Sequence, residues 1–212
     1  MKKVILIIIC TSLCLNVYNQ EVEYGVQAAL NRTFIQFSSD YEMEKEISSK
    51  AIIGGHIGGS LILRFDKFSV RNFIGIQYTN YRYRPDLQFS DRSANKIGSY
   101  ESQIRNFSIQ FNPVFTWDLK NGIFAGAGTS ISYLLRSQHE NIGISNIKTE
   151  KKWISNYQYK RLMVAAPIVL GYEWKRNSIF LSYSFGLSNK NFKEAFIKER
   201  EDNLLLGYNL VI

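Results

Sequence analysis

The chain carries two histidines, and one of them, His56, stands between two glycine pairs in the stretch AIIGGHIGGSLILRF, Ala51 to Phe65. A glycine-rich turn can bring backbone N–H groups up to a phosphate or an oxyanion, and an imidazole beside it can serve as acid or base. The second histidine, His139, lies next to Glu140 in a polar stretch that reads as a long, exposed loop. Either histidine with a serine could activate a hydroxyl for lipid deacylation or acyl transfer, provided the pair converges within hydrogen-bond reach. No Ser-x-His or His-x-Ser pair involves His56. A metal site needs several convergent ligands, and the carboxylates here have no metal-like spacing. No metal and no cofactor are expected.

Which chemistry is available depends on the elements that hold these residues. From residue 22 onward the hydrophobic pattern has period two, the signature of strands. In NFSIQFNPVFTW (Asn106 to Trp117) one face carries Phe107, Ile109, Phe111, Pro113, Phe115 and Trp117. The other carries Asn106, Ser108, Gln110, Asn112 and Thr116. In SIFLSYSFGLS, Ile179, Leu181, Tyr183, Phe185 and Leu187 stand opposite Ser182, Ser184, Gly186 and Ser188. Eight such segments are predicted, at roughly 22–37, 51–65, 68–83, 103–118, 123–136, 158–174, 178–188 and 203–212. Tight turns join the second to the third (Asp66, Lys67), the fourth to the fifth (LKNG) and the sixth to the seventh (KRN). The other connections, roughly 38–50, 84–102, 137–157 and 189–202, are long and polar. Strict alternation of short and long connections predicts an all-β, eight-stranded antiparallel up-and-down transmembrane barrel, with all short turns at one end.

The N-terminus, MKKVILIIICTSLCLNVYNQ, has the basic start, short apolar run and polar end of a signal peptide. A membrane-spanning helix needs about 20 apolar residues, more than Val4 to Leu15 supplies. The chain divides into a signal peptide over 1–20 and a barrel domain over 21–212. Both cysteines, Cys10 and Cys14, fall in the leader, which excludes a disulfide framework from the exported part. Without Lys2 and Lys3 the net charge falls from +8 to +6. No basic run is interleaved with an aromatic platform, so no nucleic-acid partner is expected.

Side-chain size decides which face is inside. An eight-stranded interior has room only for side chains, and the aromatic-rich face would overfill it. The lining is therefore the polar face, with Gly126, Gly128, Ser130 and Ser132 on the fifth strand. A luminal polar network is expected from Glu23, Gln27, His56, Arg64, Gln77, Gln110, Arg161 and Glu173, with Glu23 and Arg64 placed to form an ion pair. Trp117, Tyr172, Trp174, Phe65 and Phe68 lie beside the short turns, as an aromatic girdle at a membrane interface would. Trp153 falls in a long loop. Pro113 and Pro167 each remove a ladder hydrogen bond within a strand, and a local bulge is the expected remedy.

FSIQFNPVFTW, NGIFAGAGTSISYLLR, APIVLGYEW, FLSYSFGLSN and NLLLGYNLVI together resemble the outer-membrane β-barrel domain family of Bacteroidetes-type bacteria, which includes PorT-like proteins. The resemblance covers most of the chain beyond the leader, and it implies an integral outer-membrane protein. The implied partners are outer-membrane lipid, lipopolysaccharide and the barrel-assembly machinery. The resulting expectation is a monomeric barrel with a closed, polar-filled lumen and a structural or surface-interaction role, rather than an enzyme. A lipid A deacylase or acyltransferase using His56 or His139 with a serine is the alternative. Recognition of an unidentified surface or periplasmic protein would fall to the loops: acidic SDYEMEKEIS, basic and aromatic NIKTEKKWISNYQYKR, and mixed KNFKEAFIKERED.

Overall fold

A computed structural model describes residues 21–39, 47–85, 88–90, 96–143, 151–154, 160–190 and 197–212. The expected leader lies outside these residues, as do parts of each of the three loop segments named for recognition.

Eleven strands follow one another: β1 (Glu21–Ser39), β2 (Ile47–Arg64), β3 (Phe68–Pro85), β4 (Gln88–Ser90), β5 (Lys96–Asp118), β6 (Ile123–Gly128), β7 (Ser130–Gly143), β8 (Lys151–Ile154), β9 (Leu162–Trp174), β10 (Asn177–Gly186) and β11 (Ile197–Val211). All pairings are antiparallel, and β1 pairs with both β2 and β11, which closes the sheet. The wall has eight staves, because β6 and β7 together make one and β4 and β8 pair only on the flanks of β5 and β7.

The short turns form where the sequence supplies turn chemistry. The Phe65 N–H donates to the Phe68 carbonyl across Asp66–Lys67. Asn121, Gly122 and Lys175 adopt positive φ in the other two turns, a conformation that reverses a strand within two or three residues.

At the opposite end the strands run further than the apolar alternation suggested. Segments expected as loops begin β2 at Ile47 and β11 at Ile197, and carry β7 on to Gly143. His139 therefore sits on a strand, paired with Ile104, and is half-buried rather than exposed. The backbone of Trp153 is also on a strand, β8, opposite Gln138. A strand needs only about 9–11 residues to cross a bilayer. Beyond that height both faces meet polar surroundings, so pairing continues without the hydrophobic pattern that reveals it.

The prolines are accommodated without the expected bulge. Register runs unshifted through Asn72↔Pro113 and Ser184↔Pro167. Instead the ladder is interrupted at Thr129, between β6 and β7, and the Thr129 N–H donates to the Pro113 carbonyl at 3.0 Å. The register shifts of the wall lie elsewhere, at Ile52/Gly55 and Phe107/Ser108.

Polarity is inverted relative to a water-soluble fold. Leu30, Ile57, Ile74, Ile168 and Leu206 each expose more than half of their surface, while Asn31, Gln77, Asn106, Ser108 and Thr116 are buried. No helix among the described residues is long and apolar enough to cross a membrane. Strand-crossing proteins need none.

Candidate functional site

The side chains that could do chemistry point into the lumen, in layers. The first layer lies at the short-turn end. Glu23 at the start of β1, Arg64 at the end of β2, Arg71 on β3, Asp118 at the end of β5 and Glu173 on β9 converge there because each occupies an inward position at the short-turn end of its strand. Arg64 Nη2 meets Glu23 Oε2 at 2.8 Å and also bonds Glu173. Arg71 Nη2 donates to Glu173 Oε2 at 2.7 Å and lies 3.5 Å from Asp118 Oδ1. The Arg71 guanidinium also stacks 3.8 Å from the centre of the Phe124 ring. Two cations thus face three carboxylates, so every charge has a partner within a low-dielectric wall.

Above this layer lies a cavity of about 60 Å³, bordered by Gln27, His56, Phe73, Phe124, Phe180 and Leu205. That volume accommodates a few waters. The wall here is partly apolar, which departs from the expected polar-filled interior. Phe124 lies directly opposite Gly171, and Phe180 opposite Gly207, so each ring covers a position where a Cβ would collide with it. Phe124 and Phe180 fit a narrow barrel because each has a glycine as a cross-strand neighbour.

His56 is 5% exposed. Its Nε2 is 3.0 Å from Gln27 Nε2, and its ring stacks on Phe73 with centroids 4.3 Å apart. These partners are one amide and an aromatic ring. Ser60, the nearest serine along β2, donates to Asn209 Oδ1 at 2.5 Å. Ser137 shares the inward face with His139, yet its hydroxyl donates to Asn106 Oδ1 at 2.7 Å. Nucleophilic catalysis would require one of these hydroxyls to donate to an imidazole instead. Gly58 faces Gly75 across the β2–β3 ladder, where a side chain would strike the neighbouring backbone. The glycines around His56 allow strands to approach closely and form no phosphate cradle.

The third layer closes the long-loop end. Gln110 Nε2 donates to Ser130 Oγ at 2.9 Å, and Thr33 donates to Asn203 at 2.7 Å, below a packed cluster of Ile35, Tyr81, Ile104 and Leu134. Lys190, 1% exposed, donates to the Tyr81 hydroxyl at 2.6 Å and to Glu201 Oε2 at 2.9 Å.

Of the residues expected in the lumen, Glu23, Gln27, His56, Arg64, Gln77, Gln110 and Glu173 all face inward. Arg161 does not. It is exposed at the foot of β9 and donates to the Tyr133 hydroxyl on the outer surface at 3.1 Å, because β9 begins only at Leu162 and its inward series does not reach back that far. Arg71, Asp118, Phe180 and Val114 belong to the lining as well, and parity alone would have assigned them. Lys190 could not be found that way, since it lies beyond the end of β10.

Trp117, Tyr172 and Trp174 are exposed on the outer face at the short-turn end. Phe65 and Phe68 stack at 4.5 Å beside them, and Phe68 continues onto Phe115 at 4.9 Å. Among the described residues no cluster of three His, Cys, Asp or Glu could hold a metal ion.

Fold and lining together define a closed eight-stranded β-barrel, apolar outside, ion-paired at one mouth and plugged at the other. The sequence matches no known family profile and no curated protein. Among solved structures it is similar to Ail, the attachment invasion locus protein of Yersinia pestis, in complex with the heparin analogue sucrose octasulfate, at 12% identity and a TM-score of 0.46, over 91% of this chain and 99% of that one. It is also similar to Neisserial surface protein A, at 12% identity and a TM-score of 0.43, over 92% of this chain and 100% of that one. OprG from Pseudomonas aeruginosa is a third, at 9% identity and a TM-score of 0.38, over 92% and 97%.

Proposed function

We propose that this chain is an integral outer-membrane barrel, inserted as a monomer, with a closed lumen and a structural or surface-interaction role. The observation that carries the reading is the inverted polarity. A belt of exposed Leu, Ile, Val and aromatic side chains encircles the barrel, whereas Arg64, Arg71, Glu23, Asp118 and Glu173 are drawn inside. Water would disfavour a continuous apolar surface of this extent, and lipid accepts it because the staves pair edge to edge around a closed sheet.

The lumen supports a scaffold more than a channel. An ion cluster blocks one mouth, an apolar cluster the other, and the cavity between them holds only a few waters. The hydrogen-bond partners of His56, Ser60 and Ser137 support a non-enzymatic role over lipid acyl chemistry. The finer assignments belong to the same proposal: a leader over 1–20, membership among PorT-like barrels of Bacteroidetes-type bacteria, and contact with lipopolysaccharide and the assembly machinery. An unidentified surface or periplasmic protein could be bound through the long loops.

Cell fractionation and heat-dependent gel mobility test the reading. The protein is expected with outer membranes, running faster unheated than boiled and giving no steady conductance in planar bilayers. Recovery as a soluble protein without a mobility shift would overturn it.

A further inference from the structure

At the long-loop end five staves carry an exposed cation near the top of the outward apolar series, just below Phe34 on β1 and beyond Asp202 on β11. Arg32 follows Leu30 on β1, Lys50 lies beyond Ile53 on β2, Arg136 follows Leu135 on β7, Arg161 precedes Leu162 at the foot of β9, and Arg200 lies beyond Leu204 on β11. Between these staves, Arg105 on β5 is held by Glu140 at 3.0 Å. A second outward carboxylate among the described residues, Asp202, accepts hydrogen bonds from Gln36, Tyr183 and the Gly186 N–H at 2.6, 2.9 and 2.8 Å. It is turned toward neutral donors rather than toward the arginines. At the short-turn end the outward wall positions hold Trp117, Tyr172 and Trp174, Arg64 and Arg71 point inward, and the exposed cations Lys67, Lys120, Lys175 and Arg176 lie in the turns themselves.

We propose that these outward cations form a collar that binds the phosphate groups of an anionic glycolipid packed around the barrel. The inference rests on the membrane reading and names the lipid that this reading requires. Three observations select it. The cations lie at the upper edge of the apolar belt, the height of lipid headgroups. They are spread over β11, β1, β2, β7 and β9, around much of the perimeter, which fits an annulus of lipids better than a partner docked on one side. Four of the five are arginine, whose planar fork matches phosphate oxygens two at a time. Arg32 lies with its guanidinium carbon 5.4 Å over the Phe34 ring, so its stem rests on apolar surface while its head stays at the edge.

The test uses the full chain folded in neutral detergent micelles, with folding confirmed by heat-dependent gel mobility. It is titrated with lipid A bearing both phosphates, with the same lipid A after phosphate removal, and with inorganic phosphate. Only the phosphorylated lipid A is expected to bind tightly. The triple variant Arg32→Gln, Arg136→Gln, Arg200→Gln should weaken that binding by about tenfold or more, since each cation near a charged lipid surface contributes roughly fivefold. The variant Lys67→Gln, Lys120→Gln, Lys175→Gln, which removes the same charge from the exposed short turns, should bind like the parent. Equal binding of dephosphorylated lipid A, equal binding by the collar variant, or saturation by inorganic phosphate alone would overturn the proposal. Loss of the gel shift in the parent chain would instead overturn the membrane reading on which it rests.

Discussion

At the short-turn end arginines point into the lumen and aromatic rings point out; at the long-loop end arginines point out and an apolar cluster fills the lumen. The same eight staves build both ends, and strand parity alone does not distinguish them. The difference comes from height. Near the short turns the staves stop at the edge of the apolar belt, so a charged side chain there can avoid lipid only by facing inward, where it needs partners. Arg64 and Arg71 find Glu23, Asp118 and Glu173. At the other end the staves continue past the belt, an outward cation meets polar surroundings, and the interior is free to pack Ile35, Tyr81, Ile104 and Leu134. Parity says which side a residue takes, and distance from the turn says what that side is made of.

The largest expected effect follows from breaking the inward ion cluster. Glu173→Gln removes the carboxylate that makes the closest hydrogen bonds to both arginines and leaves them with Glu23 and with Asp118, which lies 4.0 Å from Arg64 and 3.5 Å from Arg71. Removing one partner from a buried ionic network typically costs about 3 kcal/mol or more. Urea unfolding in vesicles should show a loss of that order, and Arg71→Gln added to Glu173→Gln should recover part of it. An unchanged unfolding midpoint would mean that the inward charges are hydrated independently, and the contrast between the two ends would lose its energetic basis.

Next in size is the packing between the ends. Gly171→Ala places a methyl against the Phe124 ring, and through it against Arg71. Overpacking of this kind costs about 2 kcal/mol. Phe124→Leu in the same chain should relieve most of it, read from the same titration. A Gly171→Ala variant as stable as the parent would show that the ring can swing into the cavity, so that the ion layer does not depend on the layer above it.

A smaller effect is expected from the aromatic rim. Trp117 makes an edge-on contact with Phe115 at 4.8 Å, and Trp117→Ala should cost about 1 kcal/mol. A loss as large as that of Glu173→Gln would shift the weight of the short-turn end from its inside to its outside.

Much of this arrangement is legible in the sequence, and the limits have physical causes. Strand number and the inside face follow from alternation, because one face met lipid and the other a narrow interior. The inward placement of Glu23, Arg64 and Glu173 follows from alternation counted along β1, β2 and β9. Val114 and Phe180 occupy inward positions by the same count, but an apolar residue on a polar face is not recognised until its neighbour is known to be glycine. The extensions that carry His139 and begin β11 were not legible, since beyond the membrane both faces are polar and the period disappears. Alternation carried back from Trp174 to residue 158 puts Arg161 inward, whereas β9 begins at Leu162, so one boundary misdirects a charge.

The smallest effect concerns acid at the long-loop end. His139 lies above the apolar belt, half-buried, and burial together with the nearby Lys190 charge lowers its pKa from 6.5 to about 4. The folded chain therefore holds this imidazole neutral at a pH where the unfolded chain has begun to protonate it. Because the unfolded state binds more protons in that interval, stability rises with pH. The contribution is fully present above the ordinary histidine value of 6.5 and is lost as pH falls toward 4. Hydrogen exchange measured between about pH 7 and pH 4.5, corrected for intrinsic rates, should show amides of Gln138 to Glu140 and of their partners Gln103 to Arg105 losing protection. His139→Gln should remove the part of this pH dependence that belongs to the imidazole. If the loss of protection appeared equally in His139→Gln, or appeared first around Arg64 and Arg71, the acid-sensitive end would be the ion-paired one.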